Sequence, residues 1–324
     1  MKRISVLIHE DVYASTIGGI MDLFTGANWC LEQSGRPPAF KLELVSEKVK
    51  NIQLDDPTQF ICYTTIEKVT QTDLIIIPGF KGDCKTILKK YNAVISWLKE
   101  MKGIGAEIAS MCSGSFFLAE AGLLNGKTAT CHWGVAEEMK SCYPLIKVKS
   151  DRIITDQEGI YTSGGAYSWL NLILYLVEKY AGREIAVLCS KGFQIDYQRD
   201  SQSPFIIFSG QKEHEDTAIR TAQDFIETNV QSRITVDELA SMLALGRRNL
   251  ERRFKKATGN SIMEYIQRVK MEAVKKSLET SRLGVNEAMD RVGYSDPKAF
   301  RVIFKKVTGL SPLQYRNRYN REFV

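Results

Sequence analysis

The stretch Ile108 to Leu124, IASMCSGSFFLAEAGLL, reads as an apolar strand, a turn of small residues carrying Cys112, and then a helix. A strand-to-helix turn of this kind lifts a nucleophile clear of the backbone, and Ser110, Ser113 and Gly114 are small enough to allow the bend. The N-terminus of a helix at 114–122 would lower the thiol pKa. The backbone amides of Ser113 and of Gly79 or Phe80 could form an oxyanion hole. His132, in TATCHW (128–133), follows a short strand and is a candidate base or orienting partner. Two readings stay open on spacing alone: Cys112 and His132 as a catalytic pair, or a small buried thiol beside a structural histidine.

A different chemistry is written at the other end. TVDELASMLALGRRNLERRFKKATG (235–259) and GVNEAMDRVGYSDPKAFRVIFKKVTG (284–309) share a plan and close on F-K-K-[AV]-T-G, fifty residues apart. Thr235 with Glu238 makes a capping box, and Val236, Leu239, Ala240 and Leu243 fall on one helical face. After a turn at ALG, a second helix begins near Gly246 with Leu250, Phe254 and Ala257 inward. Arg248, Arg252, Lys255 and Lys256 lie on its opposite face, with Arg247 and Asn249 beside them. In the second copy Val285, Ala288, Met289 and Val292 face inward, Gly293 turns the chain, and Ser295 or Asp296 caps a helix opened by Pro297. There Phe300, Ile303, Phe304 and Val307 point in, while Lys298, Arg301, Lys305 and Lys306 point out. Met263, Ile266, Val269 and Ala273 mark a longer helix between the copies. Two such units are helix-turn-helices whose Arg and Lys can reach base edges and phosphates in successive major-groove segments, about 34 Å apart.

Charge supports that division. Residues 215–324 hold 21 Lys+Arg against 14 Asp+Glu, while the whole chain has a net charge of +6, so the first two-thirds are close to neutral. A polyanion partner is expected for the C-terminal third alone. The 44% hydrophobic and 25% charged fractions belong to an ordinary globular chain, and 324 residues suffice for two or three domains. No apolar run is long enough to span a membrane, and the N-terminus lacks a signal-peptide pattern, so the expected location is the cytoplasm. Seven scattered cysteines without a C-x-x-C argue against a disulfide framework and a zinc site; no metal or cofactor is expected.

The elements that must position Cys112 are short apolar runs alternating with amphipathic stretches. Strands are expected at 4–8, 41–45, 73–78, 106–110 and 159–163, and helices at 17–31, 91–102, 114–122, 134–142, 166–180 and 183–190. Such alternation predicts an α/β fold, a flavodoxin-like, mostly parallel sheet with helices on both faces, which gathers ligands at the C-terminal strand ends. PGFKG (78–82) and the Cys112 turn both fall there. Strand signals vanish after about 216, so the expected domains are 1–208, a linker at 209–217, and an all-α double helix-turn-helix domain at 218–324.

GRRNLERRF and GYSDPKAFRVIFKKVTGLSPLQYR strongly resemble the two signature segments of the AraC/XylS transcription regulators over roughly 216–320. The resemblance implies promoter DNA as partner and base-reading roles for Arg248, Asn249, Arg252, Lys298 and Arg301, with Arg247, Lys255 and Lys305 alongside. Gly246 stands where that family usually has a serine N-cap, a small loss. VLIHEDVYASTIGGIMDLF, DLIIIPGF, CSGSFFLAEAGLLNGKTATCHW and IYTSGGAYSWLNLILYLVEKYAG resemble the PfpI-type, class I glutamine-amidotransferase-like domain over roughly 1–195. Together the halves resemble the GlxA group of regulators, in which the enzyme-like fold binds a small effector and dimerises.

Enzymes of that superfamily place a carboxylate after the first strand, where this chain has Thr16, and often an Asp where it has Asn171. Losing both weakens the case for hydrolysis. The resemblance therefore implies a non-catalytic sensor of a small metabolite, polar or nitrogen-containing, with Thr16, Gly79, Phe80, Cys112, Ser113, His132 and Trp133 around the ligand. It also implies a homodimer, and RNA polymerase as a partner if the protein activates transcription. The alternatives are a cysteine-dependent amidase, hydratase or glycation-repair enzyme with a DNA-binding tail, or a redox sensor acting through Cys112.

Overall fold

Val, Ile and Leu run through SVLI, LIII and IYTS with hardly a polar break, so strands built from them must be buried on both faces. The computed structural model describes residues 1–48, 51–54, 57–197 and 201–320. It forms two units, Met1–Gln202 and Ser203–Val324. The division falls six residues before the expected domain end, and residues 209–217, expected as a linker, lie within the second unit.

The first unit runs β1 (Lys2–Leu7), α1 (Ala14–Gln33), β2 (Phe40–Ser46), a small antiparallel ladder of β3 (Asn51–Gln53) and β4 (Gln59–Ile61), β5 (Thr64–Thr65) and β6 (Leu74–Ile77). It continues through α2 (Cys84–Lys90), α3 (Asn92–Gly103), β7 (Glu107–Met111), α4 (Ser115–Glu120), β8 (Thr128–Ala129), α5 (Ala136–Cys142) and β9 (Lys147–Val148). It ends with β10 (Ile154–Gln157), β11 (Ile160–Ser163), α6 (Ser168–Ala181) and α7 (Arg183–Gly192). The main sheet has seven strands in the order β10-β11-β7-β6-β1-β2-β5. All pair in parallel except the edge strand β10, which sequence reading missed along with α2.

Side-chain alternation assigns the two faces. Ile4, Val6, Leu74, Ile76, Ala109, Met111 and Tyr161 share one core with α1, α6 and α7. Leu7, Ile75, Ile77, Ile108 and Ile160 share the other with α2, α3, α4 and α5. Because the strands are parallel, the segments after Leu7, Ile77, Met111 and Ser163 leave the sheet at one edge.

The second unit is helical: α8 (Thr217–Thr228), α9 (Val236–Met242), α10 (Arg247–Thr258), α11 (Ile262–Thr280), α12 (Val285–Asp290), α13 (Pro297–Thr308) and α14 (Pro312–Tyr319). The Thr235–Glu238 capping box is present, and Asp296, rather than Ser295, caps α13 by accepting from the amides of Lys298 and Ala299 at 2.8 and 3.2 Å. Gly246 opens α10 without a side-chain cap. Two cores form around one shared helix: Ile219, Leu239, Leu250, Phe254 and Tyr265 in the first, Met271, Leu278, Ala288, Phe300, Phe304 and Tyr315 in the second. The repeated F-K-K-x-T-G-x-S acquires a physical meaning here. The Phe fills each core, and the buried Thr258 and Thr308 hydroxyls bond back to Phe254 O and Phe304 O at 2.9 and 2.8 Å. Ser261 and Ser311 then box-cap the next helix. On α11 Met263 is 49% exposed, while Ile262 and Tyr265 are buried. The register follows the Ser261 cap, which puts Ile262 first in the helix.

Candidate functional site

Cys112 leaves β7 with φ of 56°, a left-handed backbone in a non-glycine residue, as the turn pattern requires. Gly79 makes the close approach possible: a Cβ there would lie 2.8 Å from Cys112 Cβ and 3.4 Å from Sγ. Ser113 is buried, and its hydroxyl both accepts from the Phe80 amide at 2.8 Å and donates to Phe80 O at 2.9 Å. The Phe80 ring packs edge-on against Phe117. Phe80 also bridges to Val12, which joins the loops after β1 and β6.

This geometry narrows one expectation about Cys112 and reverses another. The Phe80 N–H is already engaged by Ser113, which leaves Gly79 as the alternative donor beside the Ser113 amide. The thiol is pushed above its ordinary range, not below: burial outweighs the amides of Ala166 and Ser113 that point at the sulfur. The helix that was to lower it begins with a 3-10 turn and then has only six residues, a weak dipole.

His132 fares similarly as a base. Its Nδ1 accepts from the Gly134 amide at 2.9 Å, which places the ring proton of the neutral imidazole on Nε2. Burial lowers its pKa, and no charged group contributes. The ring stacks near Trp133, with centroids 5.0 Å apart, and covers Gly165, where a Cβ would lie 2.2 Å from Cδ2. Among the described residues no hydrogen bond joins His132 to Cys112.

Thr16 is buried in the first turn of α1, its amide bonded to Tyr13 O at 3.0 Å. Asn171 donates to Asp196 O at 2.7 Å. The first-strand loop does carry a carboxylate, Asp11, but it accepts from Tyr91 Oη at 2.7 Å and Lys90 Nζ at 2.8 Å. His9, with Lys90 and Tyr91, holds that carboxyl well below its usual range. No charged group contributes to the thiol's shift. The structure thus brings Gly79, Phe80, Cys112 and Ser113 together and sets the His132 ring over Gly165. Sequence reading missed Ala166, left-handed at φ 44° and facing the sulfur; the SGGAY stretch was its only signal.

The second candidate surface is the pair α10 and α13. Arg248, Asn249, Arg252, Lys255, Lys298, Arg301 and Lys305 are exposed on them. Arg248, Lys298, Arg301 and Lys305 side chains make no ion pair or hydrogen bond among the described residues. Arg252 donates to Asn249 Oδ1 at 3.0 Å, and Lys255 to Gly259 O at 2.6 Å. Arg247 is held between Asp237 at 3.0 Å and Glu251 at 3.3 Å. A groove of about 770 Å³ lies elsewhere in this unit, between residues 204–210 and α11. Its carboxylates already serve the fold: Glu227 accepts from Tyr265 Oη, Glu272 from Lys275, and Glu279 from Tyr315 Oη.

A profile described as the DJ-1/PfpI family matches residues 2–179, and one described as a helix-turn-helix domain matches residues 239–318. The HTH-type transcriptional regulator GbdR of Pseudomonas aeruginosa is 23% identical over 290 residues, 87% of this chain and 76% of that protein. The isonitrile hydratase of Pseudomonas putida is 28% identical over 171 residues, 52% of this chain and 72% of the enzyme. An AraC family transcriptional regulator from Pseudomonas putida superposes with a TM-score of 0.53 at 16% identity, over 60% of this chain and all of that structure, a likeness of fold.

Proposed function

The chain belongs to the DJ-1/PfpI family, and from that premise we propose that it regulates transcription by sensing a small metabolite at the Cys112 turn. It is a DNA-binding regulator of the AraC type, with the two helix-turn-helix units of its second unit as the DNA-reading part. The effector is a small polar or nitrogen-containing metabolite, and the ligand residues are Thr16, Gly79, Phe80, Cys112, Ser113, His132 and Trp133. The protein acts in the cytoplasm as a homodimer, with RNA polymerase as partner if it activates. Effector shifts the DNA-reading ends only in so far as it binds one arrangement better than another.

One observation carries this reading: a repeated, outwardly basic pair of helices on one chain with a cysteine turn whose thiol is buried and whose Phe80 amide and His132 Nδ1 are already bonded. The thiol is held protonated, the Phe80 amide is occupied, and the His132 Nδ1 lone pair is occupied. The same facts weigh against the redox reading, which needs an accessible thiolate. The enzyme reading rests on the strained cysteine and on the likeness to the hydratase.

The test is salt-dependent binding to the DNA upstream of its own gene. Arg248→Ala or Arg252→Ala should cost about 1–3 kcal/mol at a specific site. Lys305→Ala should weaken binding to all sequences and flatten the salt slope by about one. Equal effects on specific and random DNA would refute the arginine roles, and absence of salt-dependent binding would sink the regulator. A compound chemically changed by the protein, and left intact by Cys112→Ala, would instead make the Cys112 turn an active site.

A further inference from the structure

The amide of Gln202 lies 1% exposed, at the last residue of the first unit. Its Oε1 accepts from the Gly165 N–H at 2.6 Å. Its Nε2 faces four oxygens: Thr130 Oγ1 at 3.2 Å, Cys131 O at 3.1 Å, Ser150 O at 3.0 Å and Arg152 O at 2.9 Å. Two N–H protons cannot serve four acceptors linearly, so these bonds are shared and depend on both segments, 130–131 and 150–152, staying in place. The backbone of Gln202 is tied to the same loop, its amide donating to Asp151 O at 2.8 Å.

Three consecutive residues connect this knot to the Cys112 turn. Gly164 leaves the slot in which the amide lies, since a Cβ there would fall 2.2 Å from Gln202 Cδ. Gly165 donates to Gln202 and is covered by the His132 ring. Ala166, held left-handed, follows closely on β11, whose Ser163 pairs with Met111 beside Cys112, and its amide faces the sulfur. A group that enters beside the sulfur and displaces Ala166 must therefore move the Gly165 N–H that Gln202 holds. The next residue along the chain, Ser203, begins the helical unit. Among the described residues no other side chain bonds to residues 130, 131, 150, 152 and 165 together.

We propose that Gln202 is a positioning residue that transmits occupancy of the Cys112 turn to the chain's exit into the DNA-binding unit. This rests on the reading that the Cys112 turn is the sensing site. A left-handed, non-glycine Ala166 suits the part, because such a backbone is kept only while its surroundings hold it.

The probe is iodoacetamide, which places a carbamidomethyl group on Cys112: the S–C bond forms, the C–I bond breaks, iodide leaves and the thiol proton goes to solvent. The full-length protein carries Cys142→Ser, because Cys142 is the exposed thiol among the described residues. Peptide mass spectrometry quantifies the adduct, and affinity for the upstream DNA is measured with and without it. In this parent the adduct should change DNA affinity by about fivefold or more, the range of ordinary allosteric coupling. With Gln202→Met, which keeps length but neither donor nor acceptor, the same adduct should change affinity by less than about twofold. Should that variant fail to fold, Gly164→Ala serves instead: its methyl evicts the flexible amide end and leaves the backbone alone. A full adduct effect in either folded variant overturns the role of Gln202 and leaves the sensing reading standing. No adduct effect in the parent overturns the sensing reading and the proposal with it.

Discussion

The turn inside each helix-turn-helix is left-handed, and the two copies fill it differently: Ala244 at φ 51° and Gly293 at φ 73°. An L-residue in that conformation costs about 1–2 kcal/mol, while glycine gives back roughly 0.4–1 kcal/mol through its floppier unfolded chain. Ala244 is exposed, so Ala244→Gly removes the strain without losing packing. It should be neutral to about 1 kcal/mol stabilising. Gly293→Ala reverses that term and adds another. A Cβ at 293 would lie 2.1 Å from Gln231 O, a backbone atom, and 3.5 Å from Lys270 Nζ. Overpacking of this kind costs about 1–3 kcal/mol, so the total is about 1–4 kcal/mol.

The site matters because buried Lys270 donates to Ser232 O at 3.0 Å and Val292 O at 2.8 Å, binding the first repeat to the second. At roughly 4 °C per kcal/mol for a domain of this size, Gly293→Ala should melt about 4–16 °C lower and Ala244→Gly up to about 4 °C higher. All four tryptophans, at 29, 97, 133 and 169, lie in the first unit, so their fluorescence follows that unit while circular dichroism at 222 nm adds the helical one. Shifts of the same sign in the two variants, or a Gly293→Ala transition that does not move, would refute the reasoning.

Asp216 caps α8 and pairs with Arg253 through both oxygens, at 2.6 and 2.9 Å, and the arginine first of all holds its carboxyl below the usual value. The resulting stability is fully present above the unfolded value of about 3.9 and is lost as pH falls below it. The melting difference between wild type and Asp216→Asn should therefore be constant above about pH 5 and shrink below about pH 4; a difference that grows in acid contradicts the pairing. Cys112, pushed up by burial, should be alkylated slowly at neutral pH, with a rate still climbing at about pH 9.5; a plateau below pH 7 would mean a thiolate. Ser113→Ala strips the Phe80 amide and carbonyl of their shared partner and should destabilise the first unit by about 1–3 kcal/mol, read from the tryptophan transition; no change would mean that water replaces the hydroxyl freely.

Local patterns in the chain were enough for the repeat, its capping residues, the basic outer faces of α10 and α13, and the strained turn at Cys112. Each depends on neighbours three or four residues away, or on one run of buried Val and Ile, and such spacing survives in one dimension. The state of the site was decided elsewhere. Phe80 and Ser113 are 33 residues apart, and their mutual hydrogen bonds take the Phe80 amide out of the candidate oxyanion hole. The Gly134 amide fixes the tautomer of His132. Ala166 reaches the Cys112 turn, and Gln202 reaches Gly165 next to it, from segments far along the chain, where no periodicity announces them. The direction of the thiol's pKa depends on how much water the fold excludes, and exclusion is a property of all the surrounding segments at once. A sequence motif states which group is present; only packing sets the dielectric, the partners and the free valences that decide what the group can do.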